Sequence, residues 1–269
     1  MIIDYLKYMQ RIEINPTELC NLKCSFCPRS SGYPNRNLHM SIETCNKIRE
    51  HLNDCNYDKL VSITGRGEPT LTNNFNNILD ILLTDDAKYS CYMYTNGKKM
   101  HLYEDYIHKF WKIYLDVYVD DETYYKHQVE KYNRYKNVQV LFKPDKGVNY
   151  VECNNSINTK FSNRGGFLKT KNKPISIDHP CAFLFQKMFI NWNGDYNLCC
   201  DDWEEQIVMS NVMDQSIHEY VNHNEKLNMY REQHFNNNRN ILSVCKDCDR
   251  SYKLKGNIYK SIQQNINKS

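Results

Sequence analysis

Strand-like runs alternate with helical runs in the first half of the chain, and this alternation is the strongest constraint on its fold. Residues 41–53 and 75–83 carry apolar side chains at helical spacing, with Ser41 and either Thr72 or Asn73 as expected N-caps. The predicted strands are residues 11–15, 59–64, 90–95, 111–119 and 137–142. This order predicts an α/β fold with a parallel sheet, in which ligand-binding groups collect at the carboxyl ends of the strands.

Three cysteines follow the first predicted strand at the spacing Cys-x3-Cys-x2-Cys. They are Cys20, Cys24 and Cys27, and no fourth cysteine lies nearby in the sequence. A structural zinc site is closed by four ligands, and a cubane iron-sulfur cluster held only by thiolates also takes four. The triad therefore leaves one coordination position open, which indicates chemistry at the metal. A zinc site that lacks one ligand and a chance grouping in a cysteine-rich chain are the alternatives.

Two turn sequences follow the next two predicted strands. Gly65, Gly67, Glu68 and Pro69 come after the second strand, and Asn96 comes after the third within an Asn-Gly pair. If the strands are parallel, both turns lie at the same edge of the sheet as the cysteine triad. Each turn alone is also explained as an ordinary chain reversal.

Together, the triad and these turns resemble the radical S-adenosylmethionine (SAM) superfamily. The resemblance implies a partial (β/α)6 TIM-type barrel and a [4Fe-4S] cluster at the triad, with SAM bound to the free iron. Reductive cleavage of SAM would then give a 5′-deoxyadenosyl radical that takes hydrogen from the substrate, with electrons from a donor such as flavodoxin or ferredoxin. The residues implied to contact SAM are Gly65, Gly67, Glu68, Pro69, Asn96 and Asp120.

The resemblance supports the contact of Glu68 with SAM more strongly than that of Asp120. Glu68 would accept a hydrogen bond from the SAM ammonium group, as a carboxylate does readily. Near the ribose, Tyr118 stands where relatives often carry serine, so the contact implied for Asp120 is weaker. Asp116 and Asp120 are equally explained as surface acids at the end of a strand.

Four further cysteines in the second half of the chain form a complete ligand set. A predicted hairpin with a two-residue turn at Asn193 and Gly194 brings the first two together, and a helix over residues 216–233 leads to a final Cys-x2-Cys pair. This pattern resembles the Twitch domain, a shortened SPASM domain, and implies one auxiliary [4Fe-4S] cluster. Structural zinc is the alternative. The four cysteines are Cys181, Cys199, Cys245 and Cys248.

The other cysteines lack such spacing. Cys200 is adjacent to Cys199 and points in a different direction, and the distance to Gly194 favours Cys199 as the ligand. Buried cysteine behaves as a small apolar residue. We expect that role for Cys45, Cys55, Cys91 and Cys153.

The run from Asn163 to Gly166 resembles a stretch in Twitch and SPASM relatives whose arginine contacts the substrate. It implies that Arg164 holds a substrate hydroxyl as it becomes alkoxide-like. A surface or cluster-supporting role for Arg164 is the alternative.

Two clusters indicate oxidation, because a carbinol radical must lose a second electron to become a carbonyl. The predicted function is dehydrogenation of a small alcohol, sugar or cyclitol, with the auxiliary cluster as electron acceptor. Peptide modification and epimerisation are alternatives, and a non-catalytic metal-binding protein is a remote one. Only about ten residues precede the first predicted strand, which favours a small molecule over a peptide as substrate.

Charge and hydropathy restrict the partners. The net charge of +3 is carried by scattered residues, which predicts binding neither to nucleic acid nor to a membrane. No signal peptide or long apolar segment is visible, so we expect a cytoplasmic protein. The predicted organisation is a radical SAM barrel over residues 1–165, an auxiliary cluster domain over 166–252 and a polar, partly frayed tail over 253–269.

Overall fold

A computed structural model describes residues 3–145, 162–168, 177, 179–250, 252–254 and 256–266. The chain forms two compact units. The sheet unit comprises Ile12–Asn149 and Ile190–Gly194, and the terminal unit comprises Met1–Arg11, Tyr150–Phe189 and Asp195–Ser269. The cysteine triad belongs to the sheet unit, and the other four candidate ligands belong to the terminal unit.

Five strands form the centre of the sheet unit, in the order β5-β4-β3-β2-β1. The pairs β2–β3, β3–β4 and β4–β5 are parallel. Consecutive residues of the inner strands are buried, as expected of a sheet that is covered on both faces. The predicted α/β class and parallel sheet are confirmed. The strands are β1 (Arg11–Ile14), β2 (Leu60–Ile63), β3 (Ser90–Thr95), β4 (Lys112–Val117) and β5 (Val138–Phe142).

Both helices predicted in this unit are present as α1 (Ile42–Asp54) and α2 (Phe75–Leu82). The Ser41 hydroxyl accepts a hydrogen bond from Thr44 N at 3.0 Å, which confirms the predicted cap of α1. The cap predicted for α2 is wrong. Helix α2 starts after Asn74, whose backbone is left-handed and whose side chain makes no capping bond.

Helix α3 (Glu122–Tyr132) and the 3-10 helical segment Met100–Lys109 lie outside the predicted elements. In α3 only Gln128 and Tyr132 are buried, so this helix has no apolar stripe from which to predict it. Its N-terminus is fixed locally, because the Asp121 carboxylate accepts from Tyr124 N at 2.9 Å.

The strands β7 (Asp195–Asn197) and β8 (Val208–Asn211) belong to the terminal unit and are antiparallel. Strand β6 (Lys187–Ile190) belongs to the terminal unit up to Phe189, and its last residue belongs to the sheet unit. Residues 191–194 connect β6 to β7, so the predicted two-residue turn is wrong in length. Gly194 N donates to Asn191 O at 2.9 Å, which closes a four-residue β-turn with glycine at its last position.

A short helix, α4 (Phe183–Gln186), precedes β6. The helix predicted over residues 216–233 is present as two helices, α5 (Ile217–His223) and α6 (Glu225–Phe235). Asn224 separates α5 from α6, and its side-chain oxygen accepts from Leu227 N at 2.9 Å. An asparagine that caps the next helix interrupts the preceding one, which explains the break.

The last described segment is helix α7 (Gly256–Ile266) rather than a frayed tail. Ile262 on α7 is fully buried, and the hydroxyls of Ser261 and Tyr8 lie 2.6 Å apart. Spaced apolar residues among polar ones give this helix a buried side that its composition concealed. Among the described residues, we find no helix with the length and apolar character needed to cross a bilayer.

Candidate active site

The cysteine triad lies in the loop that leaves the carboxyl end of β1. Cys20, Cys24 and Cys27 are each partly exposed. Cys27 N donates to Cys24 O at 3.0 Å, and Ser30 N donates to Cys27 O at 2.9 Å. Asn35 binds both backbone polar atoms of Cys20, at 2.9 and 3.0 Å. Hydrogen bonds to main-chain atoms therefore shape the loop around the three cysteines.

Arg29 is a buried cation that joins this loop to its surroundings. Its guanidinium donates to the main-chain oxygens of Glu18, Pro34 at 2.9 Å and Arg66 at 3.1 Å. Nη2 of Arg29 also lies 3.8 Å from the buried carboxylate of Glu18. Arg29 cannot be recognised from the sequence, because no motif spacing marks a residue that binds backbone oxygens.

Asp145, just after β5, holds the centre of the triad loop. Ser25 N donates to Asp145 Oδ2 at 2.6 Å, and the Ser25 hydroxyl donates to Oδ1. Burial, together with the neighbouring Cys27 and Asp145, raises the pKa of the Cys24 thiol to about 12. A thiol in such a place is deprotonated when a metal cation binds it. The triad therefore fits the iron-sulfur cluster implied by its spacing.

The glycine-rich turn after β2 packs closely against the start of the triad loop. A Cβ atom on Gly65, whose φ is +139°, would lie 2.1 Å from Asn15 Oδ1, and one on Gly67 would lie 2.1 Å from Thr17 O. Both glycines are thus required by the chain's own packing. Pro69 is buried and begins the 3-10 helix Pro69–Leu71. The SAM contacts implied for this turn stay predictions.

Glu68 is almost completely buried and binds four protein donors. Its Oε1 accepts from Thr70 N at 3.2 Å, Thr70 Oγ1 at 2.7 Å and Thr95 Oγ1 at 2.6 Å, and its Oε2 accepts from Asn96 N at 2.8 Å. Burial raises the pKa of Glu68, and these hydrogen bonds oppose that rise. The carboxylate fixes the end of β3 to the glycine-rich turn, so the predicted bond to the SAM ammonium would use its remaining capacity at Oε2.

Asn96 completes the connection between the three loops. Its side-chain amide donates to Asn21 Oδ1 at 2.8 Å, and Asn21 lies between Cys20 and Cys24. The segments that follow β1, β2 and β3 are therefore brought together, as the parallel arrangement predicted. Asn96 is positioned beside the triad loop, and its contact with SAM stays a prediction.

The acidic residues after β4 differ from each other. Asp116 is buried, accepts from the Tyr118 hydroxyl at 2.9 Å and lies 2.8 Å from Lys143 Nζ, so its interpretation as a surface acid is wrong. Asp120 is exposed. Burial and the neighbouring Asp116 carboxylate raise the pKa of Tyr118. The Tyr118 ring packs on Phe26 of the triad loop, with centroids 5.2 Å apart.

In the terminal unit, four cysteines line one cavity. They are Cys181, Cys199, Cys245 and Cys248. Cys200 is partly exposed and is not among the residues that line this cavity. Cys45 and Cys91 are buried and Cys55 is partly exposed. Cys153 lies outside the described residues.

The four thiols are desolvated. Burial raises the pKa of Cys245 to about 12 and of Cys248 to about 11, and it also raises the pKa values of Cys181 and Cys199. In the described part of the chain, no group of three His, Cys, Asp or Glu side chains converges closely enough to hold a single metal ion. Four cysteine thiols around one cavity supply the number of ligands that a [4Fe-4S] cluster or a structural zinc ion takes.

Charged and polar side chains surround this cavity. Asp201 lies 3.4 Å from Arg164 and 3.6 Å from Arg250. His234 accepts from Cys181 N at 3.3 Å through Nδ1. Burial and the charge of Arg239 lower the pKa of His234 to about 3, so the ring is neutral. The sequence predicts the four cysteines and Arg164. It gives no signal for the other polar groups around the cavity, which are Asp201, His234, Arg239 and Arg250.

The turn that carries Arg164 is fixed against the final cysteine pair. Asn163 N donates to both carboxylate oxygens of Asp249 at 2.9 Å, and Asp249 N donates to Asn163 Oδ1 at 3.1 Å. Arg164 has a left-handed backbone with φ +51°. A Cβ atom on Gly165 would lie 2.7 Å from Asp201 O. Arg164 is therefore held next to the cysteine cavity, while its contact with substrate stays a prediction.

Comparisons with known proteins identify the two regions. Residues 14–141 match the radical SAM superfamily, and residues 181–249 match the iron-sulfur cluster-binding SPASM domain. Both matches confirm the resemblance seen in the sequence. A chain with these two domains is a radical SAM enzyme that binds [4Fe-4S] clusters and SAM.

One curated relative is similar over most of its length. The S-adenosyl-L-methionine-dependent 2-deoxy-scyllo-inosamine dehydrogenase of Niallia circulans is 22% identical over 245 residues, which cover 90% of this chain and 94% of the relative.

Solved structures share the fold at low identity. The crystal structure of BtrN in complex with AdoMet and 2-DOIA has a TM-score of 0.70 at 20% identity, over 91% of this chain and 97% of BtrN. His-tagged anSMEcpe with bound AdoMet has a TM-score of 0.56 at 14% identity, over 96% of this chain and 94% of the other.

Proposed function

We propose that this radical SAM enzyme oxidises a small alcohol, such as a sugar or cyclitol, to a carbonyl compound. The observation that carries the proposal is the cavity lined by Cys181, Cys199, Cys245 and Cys248, because a second cluster there provides an electron acceptor. The similarity to a cyclitol-type dehydrogenase over 90% of the chain supports the same class of reaction. A small-molecule substrate agrees with that relative.

The chemistry divides between two cofactor sites. When bound, the triad cluster with SAM supplies a radical that removes hydrogen from the carbinol carbon, and the auxiliary cluster supplies an acceptor for one electron. The hydroxyl proton leaves to water, so the alcohol loses two electrons and two protons in all. We assign the first cluster to Cys20, Cys24 and Cys27.

Arg164 is proposed to hold the substrate hydroxyl. Its side chain is 22% exposed, and Asp201, which orients it, is 2% exposed. The guanidinium has five N–H donors, and the bond to Asp201 Oδ1 at 3.4 Å uses only one of its terminal nitrogens. The remaining donors suit an oxygen that gains negative charge as its proton leaves.

The remaining assignments follow from the resemblance. Gly65, Gly67, Pro69, Asn96 and Asp120 are proposed SAM contacts. The proposed domain limits are 1–165, 166–252 and 253–269. A flavodoxin or ferredoxin as electron donor and a cytoplasmic location also stay proposals.

Metal analysis and product analysis test the function together. Anaerobically reconstituted protein should contain about eight irons and eight sulfides without zinc, as two cubane clusters require. With a panel of cyclitols and amino sugars, one carbonyl product should form for each 5′-deoxyadenosine. About four irons plus one zinc would remove the electron acceptor and favour a redox-neutral reaction such as epimerisation. A product with inverted carbon and solvent deuterium would establish that alternative.

Arg164 can be tested separately. In Arg164→Met we expect SAM cleavage to continue while carbonyl formation falls, and in Arg164→Lys we expect partial recovery. Lys260→Met is the matched control, since Lys260 is an exposed cation on helix α7 of the same unit. Equal carbonyl yield in Arg164→Met and the control would contradict the proposed role.

A further inference from the structure

Two buried nitrogens on the wall of the cysteine cavity have no hydrogen-bond partner in the described structure. They are Nε2 of His234 and Nη1 of Arg239, and both side chains line the cavity. His234 is 1% exposed and Arg239 is 8% exposed. A buried donor without an acceptor destabilises the folded chain, so two such atoms in one place require an explanation.

The hydrogen bond at the other nitrogen of His234 determines what Nε2 can do. Cys181 N donates to Nδ1 at 3.3 Å, so Nδ1 carries the lone pair. The single ring proton of a neutral histidine is then on Nε2. Nε2 is therefore an N–H donor that makes no hydrogen bond within the described residues.

Arg239 is fixed by its other nitrogens. Nε donates to Cys245 O at 2.8 Å, and Nη2 donates to Cys248 O at 3.2 Å and Arg250 O at 3.1 Å. The guanidinium thus holds the Cys-x2-Cys segment and has only Nη1 left for another acceptor. A fixed cation with an unused donor is a strong hydrogen-bonding group.

The lining residues include one carboxylate, and it is already paired. Asp201 makes ion pairs with Arg164 and Arg250. The other side chains on the wall are apolar, aromatic or basic, apart from the four cysteines. Beside the Tyr252 hydroxyl, the sulfur atoms are therefore the side-chain acceptors that this wall can offer to both donors.

We infer that His234 and Arg239 donate hydrogen bonds to sulfur atoms of the auxiliary cluster and thereby raise its reduction potential. Reduction adds negative charge to the cluster, and N–H donors and a nearby cation stabilise that charge. The inference rests on the cluster assignment of the proposed function, but it does not depend on which substrate is oxidised. Both are positioning residues, since they act through the cluster.

Redox titration of the SAM-bound holoenzyme, monitored by electron paramagnetic resonance, tests this inference. The auxiliary signal is the one that persists when Cys20, Cys24 and Cys27 are replaced by Ala. We expect His234→Phe to shift this signal to a lower potential and to remove one exchangeable-proton coupling. His218→Phe is the matched control, because His218 is exposed in the same unit, and it should change neither.

Conservative variants separate hydrogen bonding from packing. In His234→Gln, an amide can accept from Cys181 N and donate toward the cavity, so part of the potential should be restored. Arg239→Lys keeps the charge but not the fixed fork, so it should cause a smaller downward shift than Arg239→Met.

Full iron content with unchanged potential and couplings in His234→Phe would overturn the inference. If that variant loses iron, wild-type enzyme with ¹⁵N-labelled histidine decides: a histidine coupling to the auxiliary cluster supports the inference, and its absence overturns it. About four irons in the wild type would instead contradict the proposed function, and the inference with it.

Discussion

The two cysteine sites are each supported by a buried arginine, but the two arginines are used differently. Arg29 beside the triad donates to several main-chain oxygens, and none of its nitrogens is left buried without a partner. Arg239 beside the four-cysteine cavity also binds main-chain oxygens but keeps Nη1 for the cavity. One arginine only shapes a loop, whereas the other can also act on what the loop binds.

The difference agrees with the chemistry expected at each site. The triad has three partly exposed cysteines and leaves a coordination position for SAM, and its loop is held by hydrogen bonds to main-chain atoms. The cavity in the terminal unit surrounds its group with four cysteines and with donors from His234 and Arg239. We therefore expect substitutions at the two sites to separate radical formation from electron removal.

The largest effect is expected at the triad. Replacing any one of Cys20, Cys24 and Cys27 with Ala should reduce SAM cleavage to background, because the cluster loses a ligand. Production of 5′-deoxyadenosine under reducing conditions measures this. Unchanged production in all three variants would contradict the assignment of the triad.

The next effect isolates the second site. Cys245→Ala should keep SAM cleavage but abolish carbonyl formation, because the electron acceptor is lost while the triad is intact. Iron content should fall from about eight to about four per chain. Loss of both activities together would show that the two sites do not work independently.

Arg29→Met tests the supporting arginine of the triad. It would leave the buried Glu18 carboxylate without its cation, so we expect a loss of about 3–5 kcal/mol in unfolding free energy. Urea denaturation of the apo protein measures this. The exposed pair of Lys47 with Glu50 provides the control, since Lys47→Met should change stability by about 0–1 kcal/mol. Equal losses of unfolding free energy in Arg29→Met and Lys47→Met would contradict the supporting role of Arg29 at the triad.

The smallest effect is expected at Cys200. Cys200→Ala should retain about eight irons, whereas Cys199→Ala should retain about four. Iron analysis of the purified variants distinguishes them. The reverse result would make Cys200 the ligand. If Cys200→Ala keeps its iron but fails only to quench a substrate radical, the epimerase alternative gains support.

The parts of this molecule that have a recognisable residue spacing were predictable from the sequence. The triad spacing and the order of strands predicted the fold class. Strand β3 has its predicted limits, and the other four strands of the sheet unit are one to three residues shorter than predicted. Helices without an apolar stripe, such as α3, gave no signal. The break between α5 and α6 at Asn224 was not predicted, because apolar periodicity does not distinguish a capping asparagine from an asparagine inside a helix.

The environment of the cysteines was harder to predict than the cysteines themselves. Arg29, His234 and Arg239 act through single hydrogen bonds to main-chain atoms or into a cavity, and such contacts depend on folding distant segments together. Glu68 illustrates the same limit. Its position was recognised, but its four protein donors come from Thr70, Thr95 and Asn96, which only the folded chain brings together.

The discontinuous terminal unit has a consequence for biosynthesis. It comprises Met1–Arg11, Tyr150–Phe189 and Asp195–Ser269, and helix α7 contacts Tyr8 through Ser261. During translation the sheet unit emerges completely while the terminal unit still lacks its last segments. Domains fold as units as they leave the ribosome. The triad loop should therefore be ready to receive iron before Cys245 and Cys248 have been synthesised, so cluster loading has a built-in order.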